Sequence, residues 1–316
     1  LRNLHSTGQN PRRDYRLYQE FVQIFREERI NFVYLYNAKP MIYGGIAATF
    51  RGIPYVSTVA GLGNPFTGAA SPTRFLMMIL FKLSMWKAHR VFFHNREHRA
   101  LFRRWLIVSE KRSETVAGSG VDMERFPCAL REKPQGPFTF LMFSRLLISK
   151  GAPLYAKAAA ILKKEFSEVE FHLLGPLENN KYSVTQAQLD QWIDKGWIQY
   201  FGETNEVQPY VEKAHVVVYP SYYAEGTPRA LLEAASMCKP LITTDNVGCH
   251  DVVQEGVNGL LIPMNDLAAL AEAMRQMIIM DNDTYYRMAK KSRDHITKHY
   301  EKQFVIDKYL QAIKEI

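Results

Sequence analysis

Short apolar runs of strand length alternate with amphipathic helical patterns along almost the whole chain, and this alternation restricts its fold more than any other feature. Residues 31–36 (NFVYLY), 55–59 (YVSTV) and 91–94 (VFFH) read as strands, with helical patterns over 14–29, 40–50, 72–89 and 96–105 around them. The rhythm restarts at 138–143 (FTFLMF) and runs on through 169–174 (VEFHLL), 215–219 (HVVVY), 240–243 (PLIT) and 259–262 (GLLI). Helices such as 154–166 and 229–237 fill the gaps, and the last fifty residues are helical in pattern. Near-continuous apolar strands joined by helices bury both faces in a parallel sheet covered by those helices. Residues 117–137 interrupt the pattern with Gly118, Gly120, Pro127, Pro134, Gly136 and Pro137, the composition of a linker. The expected class is therefore α/β, in two units joined near residue 127. Ligands of open α/β sheets lie beyond the carboxyl ends of the strands. That points to the loops after Phe143, Leu174, Tyr219 and Thr243, and after Val59 in the first unit.

A chain of 316 residues accommodates two domains, and 47% hydrophobic with 23% charged residues is a globular composition. No stretch reaches the roughly 20 apolar residues that span a bilayer. The chain opens on Leu1 in a polar, basic segment without a signal-peptide pattern, as a fragment would. Its three cysteines, Cys128, Cys238 and Cys249, are widely spaced, and no CxxC occurs, so neither a zinc site nor a disulfide is expected and a reducing cytoplasm is the natural setting. The charge is uneven. Residues 1–130 hold 19 Lys and Arg against 9 Asp and Glu, fifteen of the cations being Arg, whereas the remainder holds 21 against 23. A basic half of this kind suits nucleic acid, an anionic membrane surface or a phosphorylated substrate.

Three loops could carry chemistry. In residues 219–233 (YPSYYAEGTPRALLE) a strand ends, a loop follows and a helix is expected to start at Thr227-Pro228, Thr as N-cap and Pro as first helical residue. The N–H groups and positive dipole end of such a start hold anions. Glu225 just before it and Glu233 inside it could take sugar hydroxyls, although acids near a helix start also simply favour the dipole. The second loop, 143–151 (FSRLLISKG), sets Arg145 and Lys150 between a strand and a helix, where two cations can hold a diphosphate or merely be solvated; it is not a P-loop. The third, 58–64 (TVAGLGN), lets backbone approach a ligand through Gly61 and Gly63, but Gly68 comes too late to complete a dinucleotide-binding pattern. A lone His94 at a strand end is ordinarily structural. His295 and His299, one helical turn apart, lack a third metal ligand. Residues 74–90 (RFLMMILFKLSMWKAHR) form either a core helix or an interfacial one, with Arg74, Lys82, Lys87 and Arg90 near anionic lipid.

Residues 143–263 resemble the donor domain of the retaining GT-B glycosyltransferases of family 4. The resemblance is carried by Arg145, Lys150-Gly151, Leu173-Leu174-Gly175-Pro176, Phe201-Gly202, Tyr219-Pro220-Ser221 and Glu225-Gly226-Thr227-Pro228-Arg229 through Glu233-Ala234, an E-x7-E pattern. It continues in Lys239-Pro240, Thr243-Thr244-Asp245, Gly248-Cys249 and Gly256-Val257-Asn258-Gly259. Glu225-Gly226-Thr227-Pro228-Arg229, Gly175-Pro176-Leu177 and Gly61-Leu62-Gly63 before Phe66 are similar to the subgroup acting on polyprenyl-diphosphate-linked saccharides. That subgroup includes the N-acetylgalactosaminyltransferase of bacterial protein glycosylation.

The resemblance implies two Rossmann-like domains facing a cleft: an acceptor-side domain over 1–127, a nucleotide-sugar donor domain over 128–300, and a last helix over 301–316 crossing back to the first. It implies that Arg145 and Lys150 bind the donor diphosphate, Glu233 the ribose and Glu225 the transferred sugar. Those cations and Glu225 would carry catalysis. Gly61, Gly63, Gly175, Gly226, Thr227 and Pro228 would complete the donor site. No metal or other cofactor is implied, the co-substrate being a nucleotide-sugar, UDP-linked by family habit. Ala60 stands where many relatives carry His, so no His role transfers there. The family also begins with a βα segment, and the resemblance starts after it, so the first domain is expected to be incomplete. The expected activity is retaining transfer of a hexose or N-acetylhexosamine from a UDP-sugar to a lipid-linked saccharide. Its expected place is the cytoplasmic, inner face of the cell membrane, bound peripherally through the basic first domain and without nucleic acid. The alternatives are a carboxylate-pair glycosidase using Glu225 and Glu233, and a non-catalytic nucleotide-sugar or membrane-surface binding protein.

Overall fold

The computed structural model describes residues 1, 4, 10–66, 71–128 and 137–316. They divide into two compact units, Leu1–Ser119 with Ala224–Thr227 and Gln303–Ile316, and Gly120–Tyr223 with Pro228–Lys302. Of the proposed linker, Pro134 and Gly136 lie outside the described residues.

The first unit opens with α1 (Pro11–Glu27), started by Asn10, whose side chain accepts from the amides of Arg12 and Arg13. Leu17, Phe21 and Phe25, one turn apart, form its buried stripe. Then come β1 (Val33–Tyr36), a π-helical turn (Pro40–Gly44) leading into α2 (Gly45–Arg51), β2 (Tyr55–Val59) and α3 (Pro72–Ser84). The expected helix over 72–89 therefore stops early, because the chain turns at Met85 and buries both Met85 and Ala88. β3 (Arg90–Phe93), α4 (Arg96–Arg104) and β4 (Ser113–Thr115) follow. The four strands lie parallel in chain order. One face of this sheet is closed by α11 (Lys302–Lys314), whose Tyr309 ring sits 4.8 Å from Phe92 and 5.2 Å from Tyr34. Lys308 of α11 pairs with Glu114 at 2.8 Å.

The second unit holds a six-stranded parallel sheet in the order β10-β9-β8-β5-β6-β7. Its strands are β5 (Thr139–Phe143), β6 (Glu170–Leu174), β7 (Gln199–Tyr200), β8 (Val216–Tyr219), β9 (Leu241–Thr244) and β10 (Gly259–Ile262). α5 (Ala152–Glu165), α6 (Gln186–Asp194), α7 (Gln208–Lys213), α8 (Arg229–Ser236), α9 (Leu267–Ile279) and α10 (Asn282–His299) complete it. Counted within the unit, the strand order is that of a dinucleotide-binding fold, and its direction of winding reverses between β5 and β8. β5 and β8 are wholly buried, as their continuous apolar sequences require. The two-residue β7 and the polar β4 were not foreseen; both are sheet edges, where apolar patterning is weakest.

The expectation of unpaired cysteines fails for two of the three. Cys128 and Cys238 form a disulfide, with Cα atoms 5.3 Å apart across a sequence separation of 110. Phe126 is drawn to the end of α8 by its carbonyl, which accepts from Ser236 Oγ at 2.8 Å and from Arg293 at 3.0 Å. That tertiary adjacency places the two sulfurs, and spacing alone cannot reveal it. Cys249 is buried and takes no part in that disulfide.

Candidate active site

The reversal between β5 and β8 leaves a crevice at the carboxyl ends of these strands, and two predicted loops converge there. After β5 the chain passes through Ser144 and Arg145 into a short turn, Ile148–Lys150, before α5. After β8 it passes through Pro220 to Tyr223. The Lys150 side chain is buried between the two: its ammonium donates to Tyr219 Oη at 2.8 Å and lies 4.8 Å from the ring centre of Tyr223. Aromatic faces attract a cation, and the two tyrosines fix the Lys150 ammonium at the switch point. Tyr219 ends the strand and Tyr223 lies in the loop after it; their separation from Lys150 in sequence hides this box.

Arg145 is exposed and makes a loose ion pair, 3.5 Å, with Glu178. Gly175 fixes the path of the loop that carries it. At φ +136°, Gly175 occupies a region closed to other residues, and a Cβ there would fall 1.9 Å from Ser144 O. Its amide donates to Gly202 O at 2.7 Å, which ties the Phe201-Gly202 turn to the same edge. Segment 221–223 is anchored in turn: Tyr222 N donates to Ser149 O at 2.9 Å, and the Asn246 amide to Tyr223 O at 2.7 Å.

α8 begins at Arg229 with Pro228 as its cap, and no side chain caps it. The expected Thr227 N-cap is thus incorrect: its hydroxyl instead donates to His94 O at 3.0 Å. The first-turn amides of α8 keep their outward direction, which suits an anion. Glu233 is buried on this helix and accepts from Arg229 at 3.0 Å. Burial holds its carboxyl above the ordinary glutamate range, against the opposing pull of Arg229.

The remaining predicted residues gather in the first unit. Glu225 is buried, and its carbonyl accepts from the Asn95 amide at 3.2 Å. Gly226 lies so close to the glycine loop that a Cβ on it would fall 1.4 Å from Ala60 O. Gly61 faces the Gly226 amide, and Gly63 N reaches Ala224 O at 3.4 Å. His94 is more than a strand end: its Nε2 lies 3.1 Å from Tyr36 Oη. His94 and His98 are both pushed down to about 4, by burial in each case and for His98 also by the neighbouring His94. Asn95 caps α4 by accepting from His98 N at 2.8 Å, and the Ser/Asn-type cap before an amphipathic helix was the only sequence signal for this cluster. His295 Nε2, by contrast, lies 3.4 Å from Asp251 O, and its ring is tilted against that of His299, 5.0 Å away.

Residues 137–279 match the family described as Glycosyl transferases group 1. The chain is a glycosyltransferase with a group 1 domain over those residues. Over 309 residues it is 24% identical to the N,N'-diacetylbacillosaminyl-diphospho-undecaprenol alpha-1,3-N-acetylgalactosaminyltransferase of Campylobacter jejuni, covering 93% of this chain and 79% of that protein. It is 26% identical over 306 residues to the UDP-Gal:alpha-D-GlcNAc-diphosphoundecaprenol alpha-1,3-galactosyltransferase of Escherichia coli, covering 93% and 76%. Its fold is similar to that of Anabaena HepE solved with UDP, with a TM-score of 0.79, 18% identity and coverage of 95% of this chain and 82% of that one. The glycosyltransferase is thus an enzyme of GT-B type, with two α/β units each built on a parallel sheet.

Proposed function

We propose that this glycosyltransferase moves a hexose or N-acetylhexosamine from a UDP-sugar to a hydroxyl of a lipid-diphosphate-linked saccharide, with retention at the anomeric carbon. The observation that carries the reading is the Lys150 ammonium, held between Tyr219 and Tyr223 at the switch point beside the Arg145 loop and the uncapped start of α8. The names of the Campylobacter and E. coli relatives support a lipid-linked acceptor, and HepE, solved with UDP, supports a uridine donor.

In this reading the donor C1–O bond to the diphosphate breaks as the acceptor oxygen bonds to C1 from the same face. The acceptor proton passes to the departing phosphate oxygen. Arg145, Lys150 and the α8 amides neutralise the charge growing on that leaving group, so no metal is called for. Fixed donors aimed at developing charge lower the barrier because they need no reorganisation. Glu233 would accept from the ribose hydroxyls and Glu225 from the transferred sugar, while the Gly61–Gly63 loop, Gly226 and Thr227 would offer backbone amides. The second unit would be the donor domain and the first the acceptor side. The enzyme would work peripherally at the cytoplasmic face of the membrane. Among the described residues no helix is long and apolar enough to cross a membrane.

The test has two parts. A panel of nucleotides and nucleotide-sugars is screened for a rise in melting temperature, which binding to the folded state produces by mass action. Transfer to short-chain lipid-diphosphate saccharides follows, with the product anomer read by NMR. UDP-sugars are expected to stabilise, and the product to keep the donor's configuration. An inverted product, or stabilisation by no uridine nucleotide, overturns the reading.

A further inference from the structure

α3 has two apolar faces, and only one is used. Met78 and Phe81, followed by Met85, are buried in the first unit's core. At about 100° per residue, Phe75, Ile79 and Leu83 fall on another side of the helix, with Leu76 at its edge and Trp86 just past its end. All five are exposed, Phe75 at 57% and Trp86 at 67%. The patch extends beyond α3: the Trp105 ring lies 6.2 Å from Phe75, and Leu106 next to it is 77% exposed. An ordinary surface scatters such side chains singly; a contiguous row of them on one helix marks an interaction surface.

We propose that this face docks on an anionic lipid bilayer, its aromatic and aliphatic side chains entering the headgroup region. Charge selects the occupant. Lys82 is exposed at the edge of the stripe, and the Lys87 ammonium stands 6.0 Å from the Trp86 ring. The neighbouring acid, Glu110, is already paired with Arg99 and Arg103. Residues 1–130 as a whole are strongly basic. Aromatic rings flanked by lysines, within a basic half, match the interface between acyl chains and anionic headgroups. A second copy docked on the same face would set these lysines against their own equivalents. The choice of a lipid surface rests on the proposed lipid-linked acceptor, whose saccharide is presented at that surface.

The full chain is sedimented with vesicles of phosphatidylcholine alone and of phosphatidylcholine mixed with phosphatidylglycerol. Tryptophan quenching by brominated acyl chains is followed in parallel. The parent is expected to bind the mixed vesicles and to be quenched. Leu76→Ser/Leu83→Ser/Trp86→Ser is expected to lose roughly tenfold or more of that binding, with melting temperature and transfer to a soluble acceptor analogue unchanged, because the three side chains lie outside the core. Lys82→Glu/Lys87→Glu is expected to erase the preference for the anionic vesicles. Vesicle binding of the triple variant equal to the parent's overturns the docking surface. So does a parent that ignores vesicles but forms a dimer which the triple variant dissociates. If the parent transfers sugar to no acceptor yet loses vesicle binding in the triple variant, the proposed reaction fails and the docking surface stands.

Discussion

Gly175→Ala is the sharpest probe of how the loops after β5 and β6 are held. The substitution adds one carbon, which the backbone places 1.9 Å from Ser144 O and 2.7 Å from Ser144 C. Ordinary contact needs more than 3 Å, so one loop must retreat by over an ångström. It has little freedom to do so: Ser144 N donates to Leu174 O and Leu146 N to Pro176 O, both at 3.0 Å, pinning the loops on either side of the clash. The new residue must also sit at φ +136°. Forced positive φ costs on the order of 1–3 kcal/mol, and overpacking against backbone a further 1–3 kcal/mol. We expect a loss of roughly 3 kcal/mol, which for a unit of this size lowers its melting temperature by about 6–12 °C. Arg145, one residue from the clash, is displaced with the loop. Differential scanning fluorimetry with and without UDP reads both effects: the apo transition falls, and the UDP-induced rise shrinks. An alanine variant that melts with the parent and gains the same rise with UDP would refute the close approach and the role drawn from it.

Glu225→Ala should lower turnover by about a hundredfold or more, in the range seen when a charge-stabilising contact is removed; unchanged turnover in a radiolabelled transfer assay removes Glu225 from the reaction. Lys150→Met should weaken UDP binding by roughly 10- to 100-fold, the equivalent of one charged hydrogen bond, and calorimetry with UDP checks it. The two buried histidines make stability depend on pH. Unfolded, each ring takes up a proton below its ordinary value of 6.5; folded, His94 and His98 resist until about 4. Stability is therefore complete above 6.5, declines as pH falls towards 4 and levels below that, by roughly 3 kcal/mol for the first ring to be counted. Urea unfolding across that window should show the decline, and His94→Gln/His98→Gln should flatten it.

The sheet strands were legible because β1, β2, β3, β5 and β8 are rich in aromatic and β-branched residues, which favour a pleated strand. Ser113–Thr115 and Gln199–Tyr200 carry no such pattern and exist as strands because a neighbour supplies the hydrogen bonds. Arg145 and Lys150 could be found locally, from their place between a strand and a helix. The setting of Lys150 could not, since Tyr219 approaches it from 69 residues away. Thr227 was misread for a related reason. Thr-Pro is a sound local cue for a helix start, but its hydroxyl is claimed by a carbonyl 133 residues earlier in the chain. The pairing of Cys128 with Cys238 likewise depends on where Phe126 lies against α8.

The closure of the first sheet by α11 has a consequence for synthesis. Val56, Phe92 and Val116 find their cover in Val305, Tyr309 and Ala312, which leave the ribosome nearly two hundred residues after Val116. During that interval one side of an otherwise finished sheet stays uncovered in the nascent chain. The sheet is thus completed only after the whole second unit has been made, and a stalled or clipped chain lacking α11 would expose an apolar surface to chaperones and proteases.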